Sequence, residues 1–127
     1  MRFVVCLFVG LLIGAIGATT ATSIVRQRHA YPRALMTLMQ HELAAARDAA
    51  RSGTCSDNPR HIATLAMLAN DIPRAVPQND PPERVFVQYV DDLRKQIARA
   101  PVADCRTQIQ ALTDVANACE ACHRDYR

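Results

Sequence analysis

Tryptophan is absent, and the 127 residues include only three tyrosines, three phenylalanines and four glycines. Strands draw on aromatic and β-branched residues, so this scarcity argues against a sheet-built fold. Abundant Ala, Leu and Arg favour helices instead. Charge of one sign is also scarce, with 15 Lys+Arg against 12 Asp+Glu and a net charge of +3. No Lys/Arg block interleaved with aromatics appears, which removes nucleic acid as a partner class. There is no internal repeat, and no low-complexity tract beyond one proline-rich linker. Nor is there a catalytic triad, a phosphate loop or an acid/base carboxylate pair, so the chain is not expected to be an enzyme. Its length allows one domain at most.

What is present begins with a long hydrophobic run. After Arg2 nothing from Phe3 to Val25 is charged, and Phe3 to Gly17 is continuously apolar. One leading positive charge, this apolar stretch and small residues at Ala15–Gly17 or Thr19–Ala21 read as a secretory signal peptide over residues 1–21. The alternative is an uncleaved anchor through residues 3–25, since an uncharged stretch of that length can cross a bilayer. Gly10, Gly14 and Gly17, with the Thr/Ser-rich end, make the apolar part short for a span. Cys6 lacks the small-residue context of a lipoprotein site and takes no role. Either way a domain over residues 28–127 is expected in the periplasm. About 105 residues make one core, not a generous one, and exported chains of that size often need a staple or a cofactor.

Four helical segments separate at Pro, Gly and Asp/Asn clusters. The first is expected from about Tyr31 to Arg51, with Met36, Met39, Leu43, Ala46 and Ala50 as its inner stripe and Gly53 as its left-handed cap. The second begins after Ser56-Asp57-Asn58, with Pro59 in its first turn. It buries Ile62, Leu65, Leu68, Ala69 and Ile72, and Pro73 is expected to stop it. Pro73 to Pro82 holds four prolines in ten residues and is expected to run extended over the surface. The third helix spans about Pro82 to Ala100, with Phe86, Tyr89, Val90, Leu93 and Ile97 on one face. The fourth is capped near Asp104 and runs to about Asp125 with the stripe Ile109, Leu112, Ala116, Cys119, His123. Short links between the first and second, and the third and fourth, make antiparallel neighbours. An all-α, up-down-up-down four-helix bundle is the economical result.

Cys119-Glu-Ala-Cys122-His123 has the spacing for covalent haem attachment. Two thiols add to the two vinyl groups on one porphyrin edge, and the adjacent His becomes the proximal iron ligand. On a helix, Cys119 and Cys122 at i, i+3 and Cys119 and His123 at i, i+4 share one face. Zinc would need a fourth ligand, and Cys55 and Cys105 are isolated in sequence. A thioredoxin-like pair would need a strand before it. Export agrees with haem c, which is attached outside the cytoplasm. Cys55 in the first loop and Cys105 at the start of the fourth helix both fall at the end away from the motif. In an oxidising compartment they are the natural disulfide pair.

The ending CEACHRDYR resembles that of the cytochrome c′ family, in which CxxCH near the C-terminus is followed by an aromatic residue and Arg. TQIQALTDVANAC and YPRALMTLMQ resemble that family's last and first helices. The resemblance runs from about Tyr31 to Arg127, with the third helix and its flanking loops shorter than usual. It implies a four-helix bundle with one haem c and its iron near one end, often as a homodimer. The family often carries Arg where this chain has Pro32; Arg33 follows one step later, turned about 100° around the helix. Arg33, Arg74 and Arg84 are candidate partners for the haem propionates, because Arg pairs bidentately with carboxylates. Arg127 matches the family's Arg after the motif and is a further candidate.

Topology suggests what faces the other side of the iron. Met36 lies about 15 residues, roughly 22 Å, from the far end of its helix, and His123 about 18 residues, roughly 27 Å, from Cys105. The two therefore sit at similar heights. Met36 also matches the position that in the cytochrome c′ family presents a side chain to the distal face, as sixth ligand in low-spin members. Met on such a stripe is otherwise core filler. Met39 is a weaker candidate, and His41, Glu42 and His61 take no ligand role. Three readings follow. The first is an electron carrier with His123 and Met36 as axial ligands, serving a small redox-partner protein. The second is a five-coordinate haem protein binding a diatomic gas, nitric oxide or carbon monoxide, at an open face lined by Leu35, Met36 and Met39. The third is a haem-free helical protein held by the disulfide.

Overall fold

The computed structural model describes residues 2–76, 83–102 and 104–126, with side chains described at 10, 11, 14 and from 30 onward. Its helices are α1 (Arg2–Arg51), α2 (Asn58–Ala75), α3 (Arg84–Arg99) and α4 (Cys105–Asp125). A short 3₁₀ turn, Cys55–Asp57, precedes α2, and the described residues contain no strand. The chain divides into two compact units, Met1–Arg33 and Ala34–Arg127.

In the first unit Gly10, Leu11 and Gly14 are exposed. Over the described residues no helix is long and apolar enough to cross a membrane. Most side chains of residues 3–25, on which the leader or anchor was expected, lie outside the described ones. The boundary expected near Tyr31 does not appear, because α1 runs back to Arg2 with Pro32 inside it. Proline forfeits one hydrogen bond and crowds the carbonyl four residues back, but its fixed φ is helical. No Gly or other Pro between Ala18 and Tyr31 adds a second break.

In the second unit each helix buries one stripe at three-and-four spacing. Leu35, Met39, Leu43, Ala46 and Ala50 come from α1, and Ile62, Leu65, Ala69, Ile72 and Ala75 from α2. Phe86, Val90, Leu93 and Ile97 come from α3, and Leu112 and Val115 from α4; all join one cluster. Each large apolar side chain so buried contributes roughly 1.5–3 kcal/mol before the cost of ordering it. Several expected stripe members, Tyr89 of α3 among them, are only half-buried. Leu35 takes the buried place on α1 and Met36 only packs against the cluster, as Leu68 does on α2. On α4 the deep positions are Gln108, Leu112 and Val115, with Ile109 and Ala116 on the flank.

Cross-helix contacts step in opposite senses along paired helices. Asn58 Nδ2 donates to Ala46 O at 2.9 Å, and His61 Nδ1 lies 2.7 Å from Glu42 Oε2. Between α3 and α4, Gln108 Nε2 donates to Ala100 O at 3.3 Å, while Tyr89 Oη donates to Asp125 Oδ2 at 2.6 Å. Gly53, at φ 78°, closes α1 in the left-handed region, where Thr54 N donates to Ala49 O at 2.9 Å. A disulfide joins Cys55 to Cys105, with Cα atoms 5.6 Å apart.

Two boundaries differ from expectation. Pro73 does not stop α2, which continues to Ala75. In a helix's last turn the missing N–H forfeits only one bond, and Val76 N still closes on Ile72 O at 3.0 Å. α3 begins at Arg84, not Pro82. Residues 77–82, where the extended linker was expected, lie outside the described residues.

Candidate functional site

The last three turns of α4 carry the motif. Counting on from buried Val115, steps of four, seven and eight reach Cys119, Cys122 and His123 on the same side of the helix. Burial fades along this line. Nothing on α4 beyond Val115 is fully buried, and Cys119, Cys122 and His123 are half-buried, with Cys119 packed against the core. The motif thus begins where the α4 stripe leaves the core interior.

Both motif thiols are free, whereas Cys55 and Cys105 are bonded to each other. Burial, reinforced by the neighbouring Cys122, pushes the Cys119 thiol up to about 11. Burial and then the Asp125 carboxylate raise the Cys122 thiol as well. Raised thiols favour the protonated form, whereas thiol–disulfide exchange needs thiolate. Among the described residues no three His, Cys, Asp or Glu side chains gather to hold a metal ion, so the tetrad that zinc requires is not assembled there.

The end of α4 is tied to the start of α3. Tyr126 sits edge-on to Phe86, centroids 5.3 Å apart and planes at 72°, and to Tyr89 at 6.1 Å and 76°. The backbone N–H of Tyr126 donates to Cys122 O at 3.0 Å and closes the helix. Burial and a hydrogen bond to Glu83 push the Tyr126 phenol up to about 12. The Tyr89 phenol is raised mainly by its bond to Asp125. Of this cluster, the sequence had placed Phe86 and Tyr89 only on an inner face. A tyrosine three residues after the motif His was the available signal for the rest.

The remaining candidates are dispersed. Met36 is half-buried against the same cluster that Cys119 joins, and Met39 is fully buried. Arg33 is exposed and belongs to the first unit. Arg74 is 86% exposed and pairs along its own helix with Asp71 at 3.9 Å. Arg84 is exposed at the first position of α3. Arg127 lies outside the described residues. His41 is exposed, while His61 and Glu42 form a half-buried pair.

No protein-family model, curated protein or solved structure matches the chain.

Proposed function

We propose that the chain is a small exported c-type haem protein of the cytochrome c′ kind, an up-down-up-down four-helix bundle working in the periplasm as a one-electron carrier. One observation supports this above the others. Cys119 and Cys122 are free thiols on one face of α4, next to half-buried His123, while the other two described cysteines are bonded to each other.

In this reading Cys119 and Cys122 each add across a vinyl group, sulfur to one carbon and hydrogen to the other, so the cofactor is held by two thioethers. When bound, haem supplies reversible one-electron chemistry at iron. His123 is the proximal ligand, and the helix fixes its position relative to both thioether sulfurs. Met36 offers a thioether from the flank of the α1 stripe to the opposite face. Held by His123 and Met36 together, the group would have a raised potential and little reorganisation on electron transfer. The partner is then a small redox protein, and a homodimer follows the resemblance to cytochromes c′. Propionates would pair with Arg from the set Arg33, Arg74, Arg84 and Arg127. Membrane attachment through residues 3–25 is the alternative to a cleaved leader.

The flank position of Met36 favours a second reading. Leu35, not Met36, occupies the buried place on α1, so a distal face left open to nitric oxide or carbon monoxide is the competing function. Carbon monoxide added to the reduced holoprotein decides between them. The electron-carrier reading expects an almost unchanged absorption spectrum in the native protein and new carbon monoxide reactivity in Met36→Ala. A native protein that readily forms the carbonyl complex selects the gas-binding reading. Protein made with haem-attachment machinery that carries no covalent haem by mass spectrometry overturns both.

A further inference from the structure

The last turn of a helix holds carbonyls without intrahelical donors, and it opens easily unless something outside the helix restrains it. His123 lies in that turn of α4, two residues before its end at Asp125. The restraint here comes from α3. The Tyr89 hydroxyl donates to Asp125 Oδ2 at 2.6 Å, an O–H···carboxylate bond of the charge-assisted class. Beside it, the Tyr126 ring sits edge-on to both Tyr89 and Phe86. Phe86 is itself fully buried, so the ring cluster reaches into the core, while the Tyr89–Asp125 bond lies at the exposed edge of that cluster.

We infer that Tyr89 is a positioning residue: through Asp125 it holds the last turn of α4 so that His123 presents its imidazole in one fixed orientation. The inference rests on the haem reading of Cys119, Cys122 and His123. Groups that fix the orientation of a metal-ligating histidine tune its bond to the metal. A contact from another helix onto the ligand's own turn is such a group, although Tyr89 does not touch His123.

The test uses haem-loaded full-length protein and two readouts. One is electron paramagnetic resonance of the ferric haem, whose g-values follow the orientation of the axial imidazole. The other is hydrogen exchange at the Asp125 and Tyr126 amides. Tyr89→Phe and Asp125→Ala should each shift or broaden the g-values. Each should also speed exchange roughly tenfold, the equivalent of one lost charge-assisted hydrogen bond. Asp125→Asn still accepts from the phenol and should stay close to the native spectrum. The double variant Tyr89→Phe/Asp125→Ala should be no worse than either single change, since both cut one link. Native g-values and native exchange in Tyr89→Phe overturn the role of Tyr89. An effect of Tyr89→Phe that Asp125→Ala does not reproduce overturns the route through Asp125. A native chain that takes up no covalent haem overturns the underlying haem reading, and is distinguished from the other two by mass.

Discussion

Asn58 and Gln108 are 0% and 1% exposed, two amides in an otherwise apolar interior. Asn58 Nδ2 donates to Ala46 O and to Gln108 Oε1, and Gln108 Nε2 donates to Ala100 O and Val102 O. Three helices and the α3–α4 loop therefore meet at one amide pair. Removing one partner leaves the other buried without its bond, so Asn58→Ala should cost about 1–3 kcal/mol. Urea unfolding monitored by far-UV circular dichroism measures this, and native stability in Asn58→Ala would show that the pair does not hold the helices. Neither residue was legible as core. Asn58 sits in a Ser-Asp-Asn cluster that reads as a helix start, and its partner Gln108 lies 50 positions away. The motif itself, in contrast, stands out in the sequence, because its spacing is complete within five consecutive positions and refers to nothing distant. Met36 was legible by type but not by burial, since helical spacing leaves two adjacent positions competing for the inner place.

At the scale of single helices, α4 shows why local signals succeed. Asp104 accepts from Thr107 N at 2.8 Å and from Thr107 Oγ1 at 2.6 Å, a cap completed within four residues. Those bonds hold the Asp104 carboxyl below its ordinary value of 3.8. A depressed folded value means the cap's contribution is complete above the unfolded value and is lost as pH falls through the folded one. Asp104→Ala should therefore lower the Tm by a few degrees at neutral pH. The gap to the native chain should close progressively in acid below 3.8. A gap that persists unchanged at low pH would assign the loss to something other than the carboxylate. The helix ends that were misplaced involve proline. Pro32 and Pro73 both sit inside helices, because one missing hydrogen bond is outweighed when neighbouring turns are otherwise intact.

For the second unit as a whole, the Cys55–Cys105 bond closes a segment of sequence separation 50 that includes α2 and α3. Cross-linking removes unfolded-state freedom, so the double change Cys55→Ser/Cys105→Ser should destabilise by about 2–4 kcal/mol. The expected result is a lower midpoint in urea with the haem-attachment motif untouched, and equal midpoints with and without the bond would argue against it. The bond sits beside the Asn58–Gln108 pair. These two features brace the end of the helices away from Cys119, Cys122 and His123, leaving the motif end to the apolar stripes and the α3–α4 clasp.

The sequence by itself determined the helical class, the CxxCH spacing on α4, the cap at Asp104 and, as far as Val115 on α4, the apolar stripes to within one position. Each of these depends on residues a few steps apart, where helical geometry alone sets the neighbours. Tertiary structure decided the rest. It chose Leu35 over Met36 for the interior, made Asn58 and Gln108 a buried pair, carried α2 past Pro73, and set Tyr89 against Asp125. Except at Pro73, where the local cost of one hydrogen bond decides, the deciding partner lies on another helix, and the rotation of a helix about its own axis is settled only when its neighbours pack against it.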